Sequence, residues 1–388
     1  MNDTTPAPSP NENKNDSHIG RTRYREPPSC VKVSAIGLVG YGSGMTVGVG
    51  IGLFTGQIPE DSPRTFAQEY REAIDLVRLA ESLGFDSAWV SEHHGASDGY
   101  LPSLLPLLGA FASATERITL GTGVILAPLH DPIRLAEDAA VVDNLSDGRL
   151  ILGLGLGWRE EEFRMLRIPF AERRARLEES VDVLRKAWTG ERFSHHGEIF
   201  DLDRIRVTPP PAQPGGPPIY LGGYAPAAVR RAGSIGDGYI TDAGPADDVR
   251  SAVLVAEDAA RQSGRDPDGL GLALLQNVFV GEGDAWAMAR DGVAHQLGAY
   301  EAWETGADTA SEDSLVIPAG DDSELRRWTP AGTAADVALE LRPIVEEFGG
   351  REDFHLIVRL HYPGMDFATA SRAVELFGEG VLPALKGS

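Results

Sequence analysis

The stretch VSEHHGASDGY, Val90 to Tyr100, sets Glu92, His93 and His94 side by side directly after an apolar run. A neutral imidazole can give or take a proton, or steady an anion, near pH 7, so this triplet is the first candidate for chemistry. A metal site is not expected. Adjacent residues on an extended chain point to opposite sides, no two histidines are spaced four apart, and the single cysteine, Cys30, excludes a site built on several thiolates. His93 is therefore the catalytic candidate. Taken alone, a histidine that simply bonds a loop carbonyl explains the position at least as well.

Three further stretches carry residues that could hold a ligand. LILGLGLGW supplies Gly153, Gly155 and Gly157 at a strand end, where a flat ring could approach a backbone free of Cβ atoms. It is not the G-x-G-x-x-G fingerprint, and no phosphate-binding G-x-x-x-x-G-K-[ST] loop exists, so Rossmann and P-loop folds lose their main support. PPIYLGGYAPAAVRRAGSIGDGY reads as strand, Gly-Gly turn and helix start, and the amides of Gly222, Gly223, Tyr224 and Ala225 are candidate phosphate donors. An ordinary strand-to-helix turn would look the same. Arg173, Arg174 and Arg176 cluster before Glu178 and Glu179, a solvated face unless one guanidinium turns inward. Tyr100 and Trp158 follow strand ends and could stack on a substrate or plug the rim.

These residues need elements to position them. Short β-branched runs alternate with amphipathic segments, the pattern of strand–helix units on a parallel sheet. The expected strands are 47–53, 86–91, 118–124, 150–154, 218–221, 238–241, 271–280 and 354–361, enough for a closed barrel whose strand carboxyl ends face the site. Between them, EYREAIDLVRLAESLG puts Ala73, Leu76, Val77 and Ala80 on one face and stops at Gly84. Asp131 and Pro132 are the cap and first residue of another helix. Asp143, Ser146, Gly148 and Arg149 should form the turn that ends it. FSHHGEIFDLDRIRV reads as a hairpin over one barrel end, with His195 and His196 exposed.

Length and composition bound the rest. The 388 residues allow one large domain, expected over 45–388, with 281–330 an insertion near the active-site mouth. Residues 1–44, rich in Asn, Pro and Ser, are expected to be a disordered extension. With 35 Lys and Arg against 58 Asp and Glu, the net charge is −23, which argues against nucleic-acid or membrane-surface binding. The apolar stretch near the start is too short to cross a bilayer and lacks the layout of a secretory signal, so a cytoplasmic location is expected.

Taken together, LGFDSAWVSEHH, the run from RITLGTGVILAPLHDP to LILGLGLGW, RRARLEE, IYLGGYAPAAVRRAGSIGDGY and HYPGM resemble the bacterial luciferase-like flavin-dependent monooxygenase superfamily. The resemblance implies an α/β fold, a (β/α)8 TIM barrel with insertions, binding FMN or the deazaflavin F420. It places on His93 the residue that supports reaction of reduced flavin with oxygen, and on Arg174 the arginine that holds the flavin phosphate. Phosphate-contacting hydroxyls fall on Tyr224 and Ala227, so main-chain amides would replace some of them. The family's reactive cysteine falls on Gly155 and a neighbouring arginine on Leu156, which argues against light emission. EHH favours the FMN branch, while HYPGM and GDGY keep the F420 branch open. The expectation is a monooxygenase using reduced FMN from a separate flavin reductase, O2 and a small or medium organic substrate, with a homodimer as the common assembly. The alternative is an F420-dependent oxidoreductase, and after it a flavin-binding protein without turnover.

Overall fold

A computed structural model describes residues 47–305 and 322–387. Eight parallel strands close a barrel in which β3 (Thr119–Thr122) pairs β2 (Ser87–Val90), which pairs β1 (Gly48–Phe54). A two-residue β4 (Ile125–Leu126) runs beside β5 (Leu150–Gly155), and β5 pairs back to β3 to complete the ring. β6 (Phe193–His196) and β7 (Asp201–Ile205) form the antiparallel hairpin. The remaining barrel strands are β8 (Ile219–Gly222), β9 (Gly238–Asp242), β10 (Gly271–Asn277) and, after the short outer pair β11 (Phe279–Val280) and β12 (Ala331–Gly332), β13 (Phe354–Arg359). The sequence reading of 271–280 as one strand is corrected here. The chain leaves the barrel at Val278 and pairs with β12 instead.

The strands form because each buries both faces, as expected of a parallel sheet under helices. Trp89, Ile151, Tyr220, Ile240, Ala273 and Ile357 fill the barrel interior, while Val49, Leu120, Leu152, Leu274 and Leu356 join the outer layer. Gly121 makes room for the central tryptophan, since a Cβ there would lie 2.2 Å from Trp89 Cε3.

The helices start where the sequence signals them. Helix α1 (Phe66–Ser82) opens with a capping box between Thr65 and Gln68, buries Ala73, Leu76, Val77 and Ala80, and gives way to Gly84 at φ +89°. Among those that follow, α2 is Leu104–Ala114 and α3 is Pro132–Leu145, where Asp131 accepts from the amides of Ile133 and Arg134 at 2.9 and 3.1 Å. Arg149 then locks the turn after α3, donating to the carbonyls of Ser146, Ile118, Ala112 and Thr115. Further along the chain come α4 (Glu160–Leu166), α5 (Arg173–Trp188), α6 (Pro226–Ile235), α7 (Ala246–Gln262) and α8 (Ala285–Thr305).

The hairpin departs from expectation. His195 is buried rather than exposed, its two ring nitrogens meeting Asp182 at 2.8 Å and Glu179 at 3.1 Å on α5. Glu179 also accepts from the amides of Glu198, Ile199 and Phe200, so the hairpin is anchored on that helix. His196 is exposed. No described helix is long and apolar enough to cross a membrane. The expected extension 1–44 falls outside the described residues.

Candidate active site

β2 ends at Val90, and the chain then carries Ser91, Glu92 and His93 over the carboxyl end of the barrel. All three are buried. The two carboxylates around them have separate duties. Glu162, on α4, brings Oε1 to 2.8 Å from His93 Nδ1 and accepts the His94 amide at 2.9 Å. Arg159 joins the same oxygen at 3.4 Å and donates to the His94 carbonyl at 3.1 Å. The Glu162 carboxylate accepts from the Nδ1–H, which leaves Nε2 with its lone pair and without a partner among the described residues.

Glu92 faces the other way. Its Oε1 lies 2.7 Å from His94 Nε2 and 3.0 Å from His130 Nε2, and its Oε2 accepts the Leu126 amide at 3.3 Å. Burial alone would raise Glu92, but the bonds from His130 and His94 overcome it and hold the carboxyl below its ordinary range. Burial would lower His130, and the bond to Glu92 wins and raises it. These three form a group with metal-ligand chemistry, their ligand atoms all within 4.8 Å of one another. The spacings to Oε1 are those of hydrogen bonds from two imidazoles to one oxygen.

Aromatic rings box the catalytic candidate. Tyr100, Trp158, Tyr300 and Trp303 stand with centroids 4.8, 6.2, 5.4 and 4.7 Å from the His93 ring. Tyr100 donates to Ser91 Oγ at 3.0 Å, and its oxygen lies 3.0 Å from that of Tyr300. Burial pushes both phenols up, so they stay protonated at neutral pH. Arg159 lies 4.1 Å from the Trp303 ring centre, and the buried Trp303 Nε1 has no hydrogen-bond partner among the described residues. The pair Tyr300 and Trp303 comes from α8, inside the stretch that the sequence left without a readable code. Their i, i+3 spacing on one helix face is the signal that could have found them.

The proposed phosphate loop lies on another side of the mouth. Gly222 ends β8, Gly223 takes φ +145°, and a Cβ there would meet Ala228 Cβ at 2.6 Å. Tyr239 holds the loop by donating to the Gly223 carbonyl at 3.0 Å. Ala225 caps α6 with no side-chain bond; Pro226 has no N–H and the Ala228 amide donates to the Ala225 carbonyl at 2.8 Å, so the first turn offers the Ala227 amide. Tyr224 is exposed and donates to Asp242 at 2.7 Å. Arg174 lies on the surface of α5, its side chain 70% exposed and 3.6 Å from Glu178, which also takes Arg231 of α6 at 2.9 Å. Gly155 is buried at the end of β5, where a Cβ would sit 2.5 Å from Val124 Cγ2. Its need for glycine is already explained by that packing.

The sequence matches the luciferase-like monooxygenase family over residues 47–352, and the chain belongs to that family, whose members are oxidoreductases. It is 31% identical over 337 residues to an F420-dependent glucose-6-phosphate dehydrogenase of Nakamurella multipartita, covering 81% of this chain and 92% of the relative. Among solved structures, the monooxygenase RslO1 of Streptomyces bottropensis is 27% identical with a TM-score of 0.72, covering 86% of this chain and 98% of its own. An F420-dependent secondary alcohol dehydrogenase, in complex with an F420–acetone adduct, shares the fold at 20% identity and a TM-score of 0.70, over 88% of this chain and 99% of its own.

The comparisons correct the expected reaction. An FMN monooxygenase fed by a flavin reductase and consuming O2 gives way, because the curated relatives are F420-dependent dehydrogenases. EHH, the motif that favours the FMN branch, draws no support from its glutamate, whose carboxylate turns away from His93 and serves His94 and His130. The group that meets His93 is Glu162, 69 residues further along.

Proposed function

We propose that this chain is an F420-dependent oxidoreductase acting on a hydroxyl or carbonyl group of a small organic molecule. The observation that carries the reading is kinship over four fifths of the chain with F420-dependent dehydrogenases. Three local features support it: a histidine whose Nε2 has no partner among the described residues, aromatic rings packed around it, and a helix start without a side-chain cap after a glycine turn.

Bound F420 would supply the hydride acceptor. The main chain from Gly222 to Ala225 would hold its phosphate, assisted by Arg174, with Gly155 among the small residues beside the ring. Trp303 Nε1 offers a buried donor that a bound polar group would satisfy. His93 acts as general base on the substrate hydroxyl through Nε2, while Glu162 fixes the ring in the tautomer that leaves this atom basic. Tyr100 and Trp158 wall the substrate and, with Tyr300 and Trp303, keep bulk water from the proton being moved.

Anaerobic fluorescence titration tests the reading. F420 is expected to bind at one per chain and to be reduced when a substrate such as glucose-6-phosphate or a secondary alcohol is added. Binding of FMN with no uptake of F420 would overturn it.

A further inference from the structure

We infer that Arg359 is the anchor for an anionic group of the substrate, so that the molecule handled beside His93 is an organic anion, a carboxylate or a phosphate ester. This rests on the oxidoreductase reading above and names the class of its substrate.

The strand places the residue. On β13, Phe354, Leu356 and Val358 belong to the outer layer and Ile357 to the barrel interior, so the alternation of a strand turns Arg359 inward, one step above Ile357 at the mouth. Arg359 is 4% exposed. Its main-chain oxygen is engaged, accepting from the Val278 amide at 3.1 Å and from Tyr362 Oη at 3.2 Å. Its guanidinium, by contrast, forms no ion pair among the described residues, and Nη1 is sealed from solvent without a partner. The charge acts on Tyr300 and on the Asp242 carboxylate, and on Tyr100, with which the guanidinium also shares a hydrogen bond.

A buried guanidinium with unmade bonds is costly, and its planar fork matches the paired oxygens of a carboxylate or phosphate. Lys186, Lys386, Arg159 and Arg64 are committed elsewhere. The chain has four lysines, Lys14, Lys32, Lys186 and Lys386. Lys186 pairs with Asp182 at 2.6 Å and Lys386 with Asp86 at 2.7 Å. Arg159 is held by Glu162 and Glu161 at 3.4 and 3.5 Å, and Arg64 by Glu69 at 2.8 Å and by Glu72. With a net charge of −23, the protein as a whole repels anions, so an anion held at the mouth needs a local site of this kind.

The test is calorimetric titration of the F420-loaded protein with inorganic phosphate and, separately, with acetate. Wild type is expected to bind at least one of them. Tighter phosphate assigns a phosphate ester, and tighter acetate a carboxylate. Arg359→Gln should weaken that binding by about tenfold or more while F420 affinity changes by less than about twofold, and Arg359→Lys, which keeps the charge but not the fork, should fall between. The proposal fails if neither anion binds wild type, if Arg359→Gln binds as well as wild type, or if F420 affinity falls in step with anion affinity. Should Arg359→Gln not fold, Arg359→Lys is read against the same outcomes. The anion titrations are repeated without F420. Loss of the cofactor reading then shows as absent F420 uptake, separately from the anion result.

Discussion

Replacing Glu162 by glutamine keeps the volume of the side chain and removes its charge where Oε1 meets His93 Nδ1 at 2.8 Å, the His94 amide at 2.9 Å and Arg159 at 3.4 Å. A hydrogen bond to a charged group contributes about 1.5–3 kcal/mol and a neutral one about 0.5–1.5 kcal/mol. The difference, about 1–1.5 kcal/mol, corresponds to roughly 5- to 12-fold in rate if the His93 tautomer matters in the rate-limiting step. The assay is anaerobic reduction of saturating F420, with glucose-6-phosphate and secondary alcohols as trial substrates. Glu162→Gln should lower kcat by that factor with F420 affinity unchanged. A readout independent of substrate is the 15N spectrum of His93, with the proton on Nδ1 in wild type and both tautomers populated in the variant. Glu162→Ala should do more, since it removes the acceptor of His93 Nδ1 and of the His94 amide and leaves Arg159 only Glu161 and the His94 carbonyl, costing about 3–5 kcal/mol of stability as well. A Glu162→Gln protein that turns over at the wild-type rate with an unchanged tautomer would refute the role given to Glu162.

Other perturbations test separate parts of the molecule. Gly155→Ala forces a Cβ to within 2.5 Å of Val124 Cγ2 and should cost roughly 1–3 kcal/mol, read as a lower urea midpoint; an unchanged midpoint would mean the strand end can give. Gly223→Ala combines φ +145° with a 2.6 Å approach to Ala228 and should weaken F420 binding more than it lowers the melting temperature. His361 is pushed down to about 4 by burial, then by Arg64 and Arg359, and the opposing charge of Glu72 does not offset this. Its folded value lies below its unfolded one, so the associated stability is complete above about pH 6.5 and is lost as pH falls toward 4, by about 3 kcal/mol. His361→Asn should flatten that part of the stability profile, and an equally steep profile in the variant would rule out His361 as its source.

The barrel was legible because parallel strands buried on both faces read as short apolar runs, and Gly84, Asp131 and Pro132 punctuate the helices through local chemistry alone. Position 93 was legible for the same reason, since a strand end in a barrel is a mouth. What surrounds it was not. Glu162 sits in REEEF beside Glu160 and Glu161, and nothing local says which of three glutamates turns inward. His130 follows a short helical turn far along the chain, and only tertiary folding brings it to Glu92. Tyr300 and Trp303 fall in the insertion 281–330, where their spacing marks a shared helix face but carries no local signal for the contact that α8 makes with His93. Arg359 falls inside the expected strand 354–361, and only the closed ring shows that it points into the barrel.

A crystal structure of the chain grown with F420 tests the central claim most directly. The expected result is the deazaflavin ring across the carboxyl mouth of the barrel, its reactive edge toward His93 Nε2 and its phosphate on the amides between Gly222 and Ala225. A ring bound away from His93, or a mouth that stays closed by Tyr300 and Trp303 at saturating F420, would contradict it.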